Sequence, residues 1–505
     1  MDSFPATALV KTASLNSVVT DSSPGMTAYV SGNKNNNNEE GVFPDDTVDA
    51  FDNPRIEYLS EYLHRTQGKA LGIVTTADVF DATPAGNAVH TSNRVDQFFD
   101  DRSHTGMAVL MGGGRKWFLP AGTPGSARGD RSDYAFSATD AHTADIVKRW
   151  GAAPGSLDAN RDLLGDFKAQ GYAYAPDKTA LDAIDTKATD KLLGLFAFSN
   201  MNVALDKIAG RRGAKTGLTG SVVDDYGFPD QPMLEEMTSK ALAVLARQPK
   251  GFVLMVEGAS IDKQAHNMDT ERWMLDTLEF DRAIKVAQDF ARDRGDTLVI
   301  VTADHECSGA ALIGGSRLTD VKLLQAGKAP APVAAATQAS EGAASAAITP
   351  ADKPTVRLRD TVVGVYERAG FPRYAIAADG YPETTDIDFR LLVGYGANAD
   401  RYEDWRTNAL PVQDSQQPFV KAKPLASYPA SPLDRDAEGR FLVTGQVPGE
   451  SAVHTATDVP LSAFGPGALT FSGVIDNTDV FFKLAQAAVK GVTAPADAGG
   501  GTRRR

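Results

Sequence analysis

Four short runs along the chain are almost continuously apolar: 70–77 (ALGIVTTA), 107–114 (MAVLMGGG), 252–258 (FVLMVEG) and 297–304 (TLVIVTAD). None alternates strictly between apolar and polar residues, which is the pattern of strands covered on both faces of a parallel sheet. Between them lie stretches with apolar residues at helical spacing, among them 54–66 (Ile56, Leu59, Tyr62, Leu63), 235–247 and 271–294. Strand followed by helix, repeated, predicts an α/β fold with a doubly wound, mostly parallel central sheet and helices on both faces. Residues 1–30 read as a short strand, a turn and the start of a helix. Ser17-Val18-Val19-Thr20 is β-prone, and Asp21-Ser22-Ser23-Pro24 has the cap residues and early proline that open a helix.

Residues 31–40 (SGNKNNNNEE) are polar and of low complexity, and predict a solvated loop. After about residue 315 the pattern breaks. Residues 328–354 are rich in Ala, Pro and Ser, and 370–445 combine Pro, Tyr and Asp with weak periodicity. A last strand and helix follow within 469–488. The organisation expected is an α/β domain made of 1–315 and 446–490. Residues 316–445 form an insertion that covers the active face, and 491–505 a disordered tail.

Composition narrows the functions available. With 51 Lys+Arg against 65 Asp+Glu in 505 residues, the formal net charge is −14. Without a basic block such a chain is a poor binder of nucleic acid. No apolar run approaches the roughly 20 residues that span a bilayer. The opening MDSFPATALV carries no export signal, so the chain as written would remain cytoplasmic. A single cysteine, Cys307, permits neither an internal disulfide nor a cysteine-based zinc knuckle, so any metal is expected on His, Asp and Glu.

Ligands of wound α/β sheets collect at the carboxyl ends of the strands, and residues of metal-binding type stand there. After the run at 252–256 comes Glu257-Gly258-Ala259-Ser260-Ile261-Asp262-Lys263-Gln264-Ala265-His266. In a helix begun near Ser260, Asp262 and His266 share a face and can both ligate zinc, while Glu257 suits magnesium. The alternative is a helix N-terminus whose acidic residues complement its dipole, with a surface histidine. The run at 297–303 ends in Asp304-His305, and His454 precedes the last ordered strand, so three of seven histidines occupy this layout. Ser22 is either a plain helix cap or a serine placed where backbone N–H groups favour an anion. Asp81 and Thr83 offer oxygen ligands for magnesium, and Arg94 a planar fork for two phosphate oxygens. Gly112-Gly113-Gly114-Arg115 lacks the ending of a P-loop and reads as a tight turn at a strand end.

Taken together, these segments resemble the alkaline phosphatase family, bacterial type. VTDSSPGMTAYVSG resembles its nucleophile segment, GIVTTADVFDATPAGNAVHTSNR its magnesium and arginine segment, and VEGASIDKQAH and TLVIVTADHE its central metal segments; VLMGGGRKWF is also typical. The resemblance implies hydrolysis of phosphate monoesters through a phosphoserine at Ser22, releasing inorganic phosphate. It implies two zinc ions, one on Asp262, His266 and His454 and one on Asp304 and His305. One magnesium would lie on Thr83 and Glu257 with Asp81 nearby. Arg94 would clamp the phosphoryl oxygens and Lys263 reach them through water. It further implies small phosphomonoester substrates, a periplasmic or secreted location, and allows a homodimer. The family's opening strand ending in Asp-Gly-Met-Gly does not occur ahead of Ser22. A catalytically impaired metal-binding remnant is therefore one alternative; a related phosphodiesterase or sulfatase is the other.

Overall fold

The computed structural model describes residues 3–44, 53–90, 94–128, 159–214, 226–316, 362–363, 375–383, 391–397 and 451–490. Five strands form an all-parallel sheet: β2 (Ala70–Asp78), β3 (Met107–Gly113), β4 (Ala173–Ala175), β5 (Leu192–Leu195) and β6 (Phe252–Glu257), in the order β4-β5-β3-β2-β6. The pleat of the central strands feeds two cores. Leu71, Ile73 and Leu110 pack with Phe98, Phe118 and Phe167 on one face. Val74, Val109 and Met111 pack with Met237, Val244 and Leu245 on the other. Gly72 lets the helix Leu234–Leu245 press directly on β2, since a Cβ there would stand 2.6 Å from Leu245 Cδ1. Helices on both faces of a parallel sheet are the doubly wound α/β arrangement expected.

The fourth apolar run behaves differently. Its strand β7 (Val299–Val301) joins a second, mixed sheet with β1 (Ala6–Lys11), β13 (Val459–Phe464) and β14 (Gly473–Asp476), ordered β14-β1-β13-β7. Among the described residues β6 and β7 each pair on one side only, so both remain half-buried where burial on both faces was expected. The long helix Thr270–Arg294 serves both sheets, with Phe280 packing beside Val256 of β6 and also against Val299 and Val301 of β7. No helix among the described residues is long and apolar enough to cross a membrane.

Two local expectations need correction. The first strand is Ala6–Lys11, whose alternate residues Ala6, Ala8 and Val10 are buried against Leu461 and Phe471. The stretch 17–20 is not a strand: Ser17 Oγ accepts the Val19 N–H and the Ser14 N–H reaches Ser17 O, local bonds that compete with a ladder. The polar segment 31–40 is not uniformly solvated either. Asn35 and Glu40 are fully buried, Asn35 Nδ2 donating to Val42 O (2.5 Å) and Glu40 Oε1 accepting from Ser23 Oγ (2.7 Å). Folded back on the helix Ser22–Ser31, the segment braces the turn that carries Ser22.

Little of the region 316–445 falls within the described residues, and the tail 491–505 lies outside them. The described parts include β10 (Val362–Val363) and β11 (Leu391–Tyr395), which flank β9 (Ala310–Ser316) in an antiparallel sheet. The two-residue strands β8 (Glu306–Cys307) and β12 (His454–Thr455) pair antiparallel.

The glycine run after β3 is the tight turn expected, with Gly114 at φ +90° and its N–H bonded to Ser199 O (2.8 Å). A Cβ on Gly113 would stand 1.8 Å from that same carbonyl oxygen, and the backbone there cannot move without breaking the turn. Gly113→Ala is therefore expected to cost roughly 1–3 kcal/mol, read as a lower urea midpoint; an unchanged midpoint would show that the contact yields freely.

Candidate metal centre beside Ser22

Asp21 caps the helix Ser22–Ser31, its carboxylate accepting the Ser23 N–H at 2.8 Å, and so fixes Ser22 in the first turn. Gly25, one turn on, lets the chain after β7 come close: a Cβ there would lie 3.0 Å from Asp304 Cβ. The close approach brings Ser22 Oγ to 2.9 Å from Nε2 of the buried His305. Asp304 Oδ2 stands 3.4 Å from that same Nε2, while His305 Nδ1 has no hydrogen-bond partner among the described residues. A serine–histidine–aspartate triad would place the acid on the opposite ring nitrogen. Here hydroxyl, imidazole and carboxylate converge on one point, an arrangement suited to a cation.

A second convergence lies next to the first. The helix Ser260–His266 begins where the sequence predicted and puts Asp262 and His266 on one face. His266 Nε2 lies 3.0 Å from His454 Nε2, and both stand 3.4 Å from Asp262 Oδ1. The outer nitrogens are tied to backbone carbonyls, His266 Nδ1 to Ala452 O (2.7 Å) and His454 Nδ1 to Thr20 O (3.0 Å). Donation outward leaves each Nε2 with its lone pair aimed inward, the tautomer of a metal ligand. The His305 and His454 rings stack with centroids 3.5 Å apart, which joins the two clusters.

The electrostatics follow from this crowding. Burial acts against the charged form of Asp262, but contacts with His266 and His454 outweigh it and hold the carboxyl well below its usual range. Burial likewise opposes protonation of His266 and His454, and Asp262 overcomes it, raising both. Two neutral imidazoles and a carboxylate fit zinc, and this donor set passes the test of geometry.

The third group surrounds Glu257, at the end of β6. Its Oε2 accepts from Thr75 Oγ1 (2.6 Å), a partner on β2 that the sequence reading did not single out. Asp81 caps the short helix Ala82–Ala85, which contains Thr83, and accepts from Lys263 Nζ at 2.6 Å. Lys263 is buried, so its charge is held in place by Asp81. Carboxylate and hydroxyl oxygens of this kind fit magnesium. Arg94 opens the helix Arg94–Asp100, and its side chain lies outside the described residues.

One further side chain stands beside this cluster. Cys307 stands with Asp262, His266 and His454, one ligand atom from each lying within 4.8 Å of the others. A single cysteine cannot build a zinc knuckle, and its sulfur stands beside the His and Asp donors expected. The signal was present in the sequence as Cys307 two residues after His305; its meaning depended on strand pairing.

A serine at a helix start, two adjoining donor clusters and an acidic pocket at strand ends make this an α/β protein with metal-competent side chains gathered around a serine hydroxyl. The chain belongs to the alkaline phosphatase family, whose family model matches residues 1–490. It is 31% identical over 332 residues to the tissue-nonspecific alkaline phosphatase isozyme of Gallus gallus, covering 60% of this chain and 56% of that one. It is 27% identical over 483 residues to alkaline phosphatase 3 of Bacillus subtilis, covering 94% and 78%. The chain thus spans little more than half the length of the first relative and about four fifths of the second. The fold is similar to that of Thermus thermophilus alkaline phosphatase, with a TM-score of 0.55, 22% identity, and coverage of 97% of this chain and 84% of that one.

Burial pushes the Glu257 carboxyl up to about 8, with Asp81 adding to the shift and the Thr75 hydrogen bond opposing it. A carboxyl that holds its proton more tightly folded than unfolded favours the folded state at low pH and loses that advantage as pH rises. Metal-free protein is expected to lose stability between about pH 4.5 and about 8, and Glu257→Gln to flatten that part of the profile. Denaturant unfolding across the range checks this; a profile indifferent to the substitution contradicts it.

Proposed function

We propose that the protein hydrolyses small phosphate monoesters through a phosphoserine at Ser22. The observation that carries this reading is the Ser22 Oγ to His305 Nε2 separation of 2.9 Å, with Asp304 on the same nitrogen and the Asp262–His266–His454 cluster adjoining. The Ser22 hydroxyl gives up its proton to solvent as its oxygen attacks phosphorus, the ester P–O bond breaks, and the alcohol departs with a proton from solvent. Water then attacks the phosphoserine and releases inorganic phosphate, restoring the hydroxyl. The helix N-terminus at Ser22 contributes backbone N–H groups and a positive dipole end to the phosphoryl oxygens.

In this reading Asp262, His266 and His454 hold one zinc, Asp304 and His305 a second, and Glu257 and Thr83 a magnesium with Asp81 close by. When bound, these ions supply positive charge that favours the serine alkoxide and neutralises the entering and leaving oxygens of an in-line displacement. Lys263, held by Asp81, adds a fixed cation near the phosphate, and Arg94 clamps two of its oxygens. An exported location and a homodimer complete the family reading.

The test is turnover of p-nitrophenyl phosphate by the zinc- and magnesium-loaded chain, with acid quench of labelled substrate. Ser22→Ala is expected to lower turnover by at least about three orders of magnitude and to abolish covalent labelling, while zinc content stays unchanged. Turnover that survives Ser22→Ala, or faster cleavage of bis(p-nitrophenyl) phosphate or of a sulfate ester, overturns the assignment. A zinc-loaded chain without turnover is the metal-binding remnant.

A further inference from the structure

Cys307 is the only cysteine of the chain and sits on β8, directly opposite His454 of β12 in the antiparallel register. The pairing delivers its side chain to the same cluster that the helix Ser260–His266 supplies from the other side: one ligand atom each from Asp262, His266, Cys307 and His454 lies within 4.8 Å of the rest. Its Sγ is 3.7 Å from Asp262 O, and the thiol is only partly exposed. Asp262 Oδ1, buried and without a hydrogen bond among the described residues, stands 3.4 Å from Nε2 of both His266 and His454. One carboxylate oxygen, two imidazole nitrogens and one sulfur match tetrahedral zinc in number and type, and a small inward shift of the sulfur would close the set around an ion.

We propose that the Cys307 thiolate is a fourth protein ligand of the ion held by Asp262, His266 and His454. The inference rests on the metal-centre reading above and goes beyond the three-residue set. On binding, the Sγ–H bond is lost, its proton passes to solvent and an Sγ–metal bond forms, with no change of oxidation state. A thiolate donates more electron density than a water ligand and biases the site toward softer ions. With four protein donors the ion reaches a substrate oxygen by expanding to five-coordinate, as catalytic zinc can. The donors beside Ser22, Asp304 and His305, are oxygen and nitrogen alone.

Cobalt(II) titration of metal-free full-length protein separates this proposal from the reading beneath it. Visible ligand-field bands of tetrahedral intensity report that the cluster binds a metal at all. A near-ultraviolet thiolate-to-cobalt charge-transfer band reports Cys307, since no other thiol exists in the chain. Both are expected in the wild-type protein. Cys307→Ser should lose the near-ultraviolet band, keep the visible bands, and bind zinc roughly 10-fold or more weakly in competition with a chromophoric chelator. Visible bands without the charge-transfer band overturn the cysteine ligand and leave the metal centre standing. Absence of both overturns the two together. The wild-type spectrum decides the matter even if the variant folds poorly.

Discussion

Two imidazole nitrogens that belong to residues 188 positions apart face each other at 3.0 Å, and much of the structure serves to hold them so. Lone pairs at that distance repel unless a proton or a cation stands between them. Both rings are anchored from behind by backbone carbonyls, so neither can swing away to relieve the contact. The one at His454 is the carbonyl of Thr20, next to the Asp21 cap, so a single tie links the cluster to the turn presenting Ser22. Preorganisation of this kind costs stability when the site lacks a cation and returns it on binding, because a metal binds the folded chain and not the unfolded one.

The cost is borne by a scaffold with its own buried polarity. Lys207, fully buried, pairs with Glu279 at 2.5 Å, and Glu279 also accepts the Leu234 N–H. Nearby, Arg272 bonds Asp269 and approaches Asp206 at 3.7 Å. Burial raises Asp276 well above its usual range, with Glu279 adding and Lys207 opposing. Apolar residues would fill this volume at less desolvation cost. Charges instead fix the orientation of the helix Thr270–Arg294, the element in contact with both sheets and with the helix that bears Asp262 and His266.

The legible parts of the sequence were those governed by local rules. Continuous apolar runs marked β2, β3 and β6; the Asp-Ser-Ser-Pro cap marked the helix at Ser22; and spacing of four placed Asp262 and His266 on one face. What escaped depended on distant partners. The run at 297–304 looks like its fellows, yet it joins another sheet because β13, some 160 residues later, supplies its ladder. Val18 and Val19 suggested a strand, but Ser14 and Ser17 offered the backbone nearer bonds. Glu40 stood in a polar run and became buried because Ser23 lay across from it. Thr75 was one more β-branched residue of an apolar strand until Glu257 was set beside it.

The segment at 391–397 shows how a stretch with little periodicity can still bear on chemistry. Tyr395 accepts from Trp273 Nε1 and bonds Thr270 at the start of the long helix. Beyond it, Gly396 and Ala397 donate their N–H groups to Gly309 and Ser308, and Ala397 O accepts from Val453 N. Next to that bond, Ala452 N donates to His266 O. His454 thus follows two stitched residues, Ala452 bonded to His266 O at the end of the helix of Asp262, and Val453 bonded to Ala397 O and to the Ser308 N–H just after Cys307. Its distance to His266 is fixed by backbone bonds from three chain segments rather than by the imidazoles themselves. A donor cluster assembled in this way has its spacing imposed by the fold, which is the condition under which a change of one donor alters the chemistry without altering the scaffold.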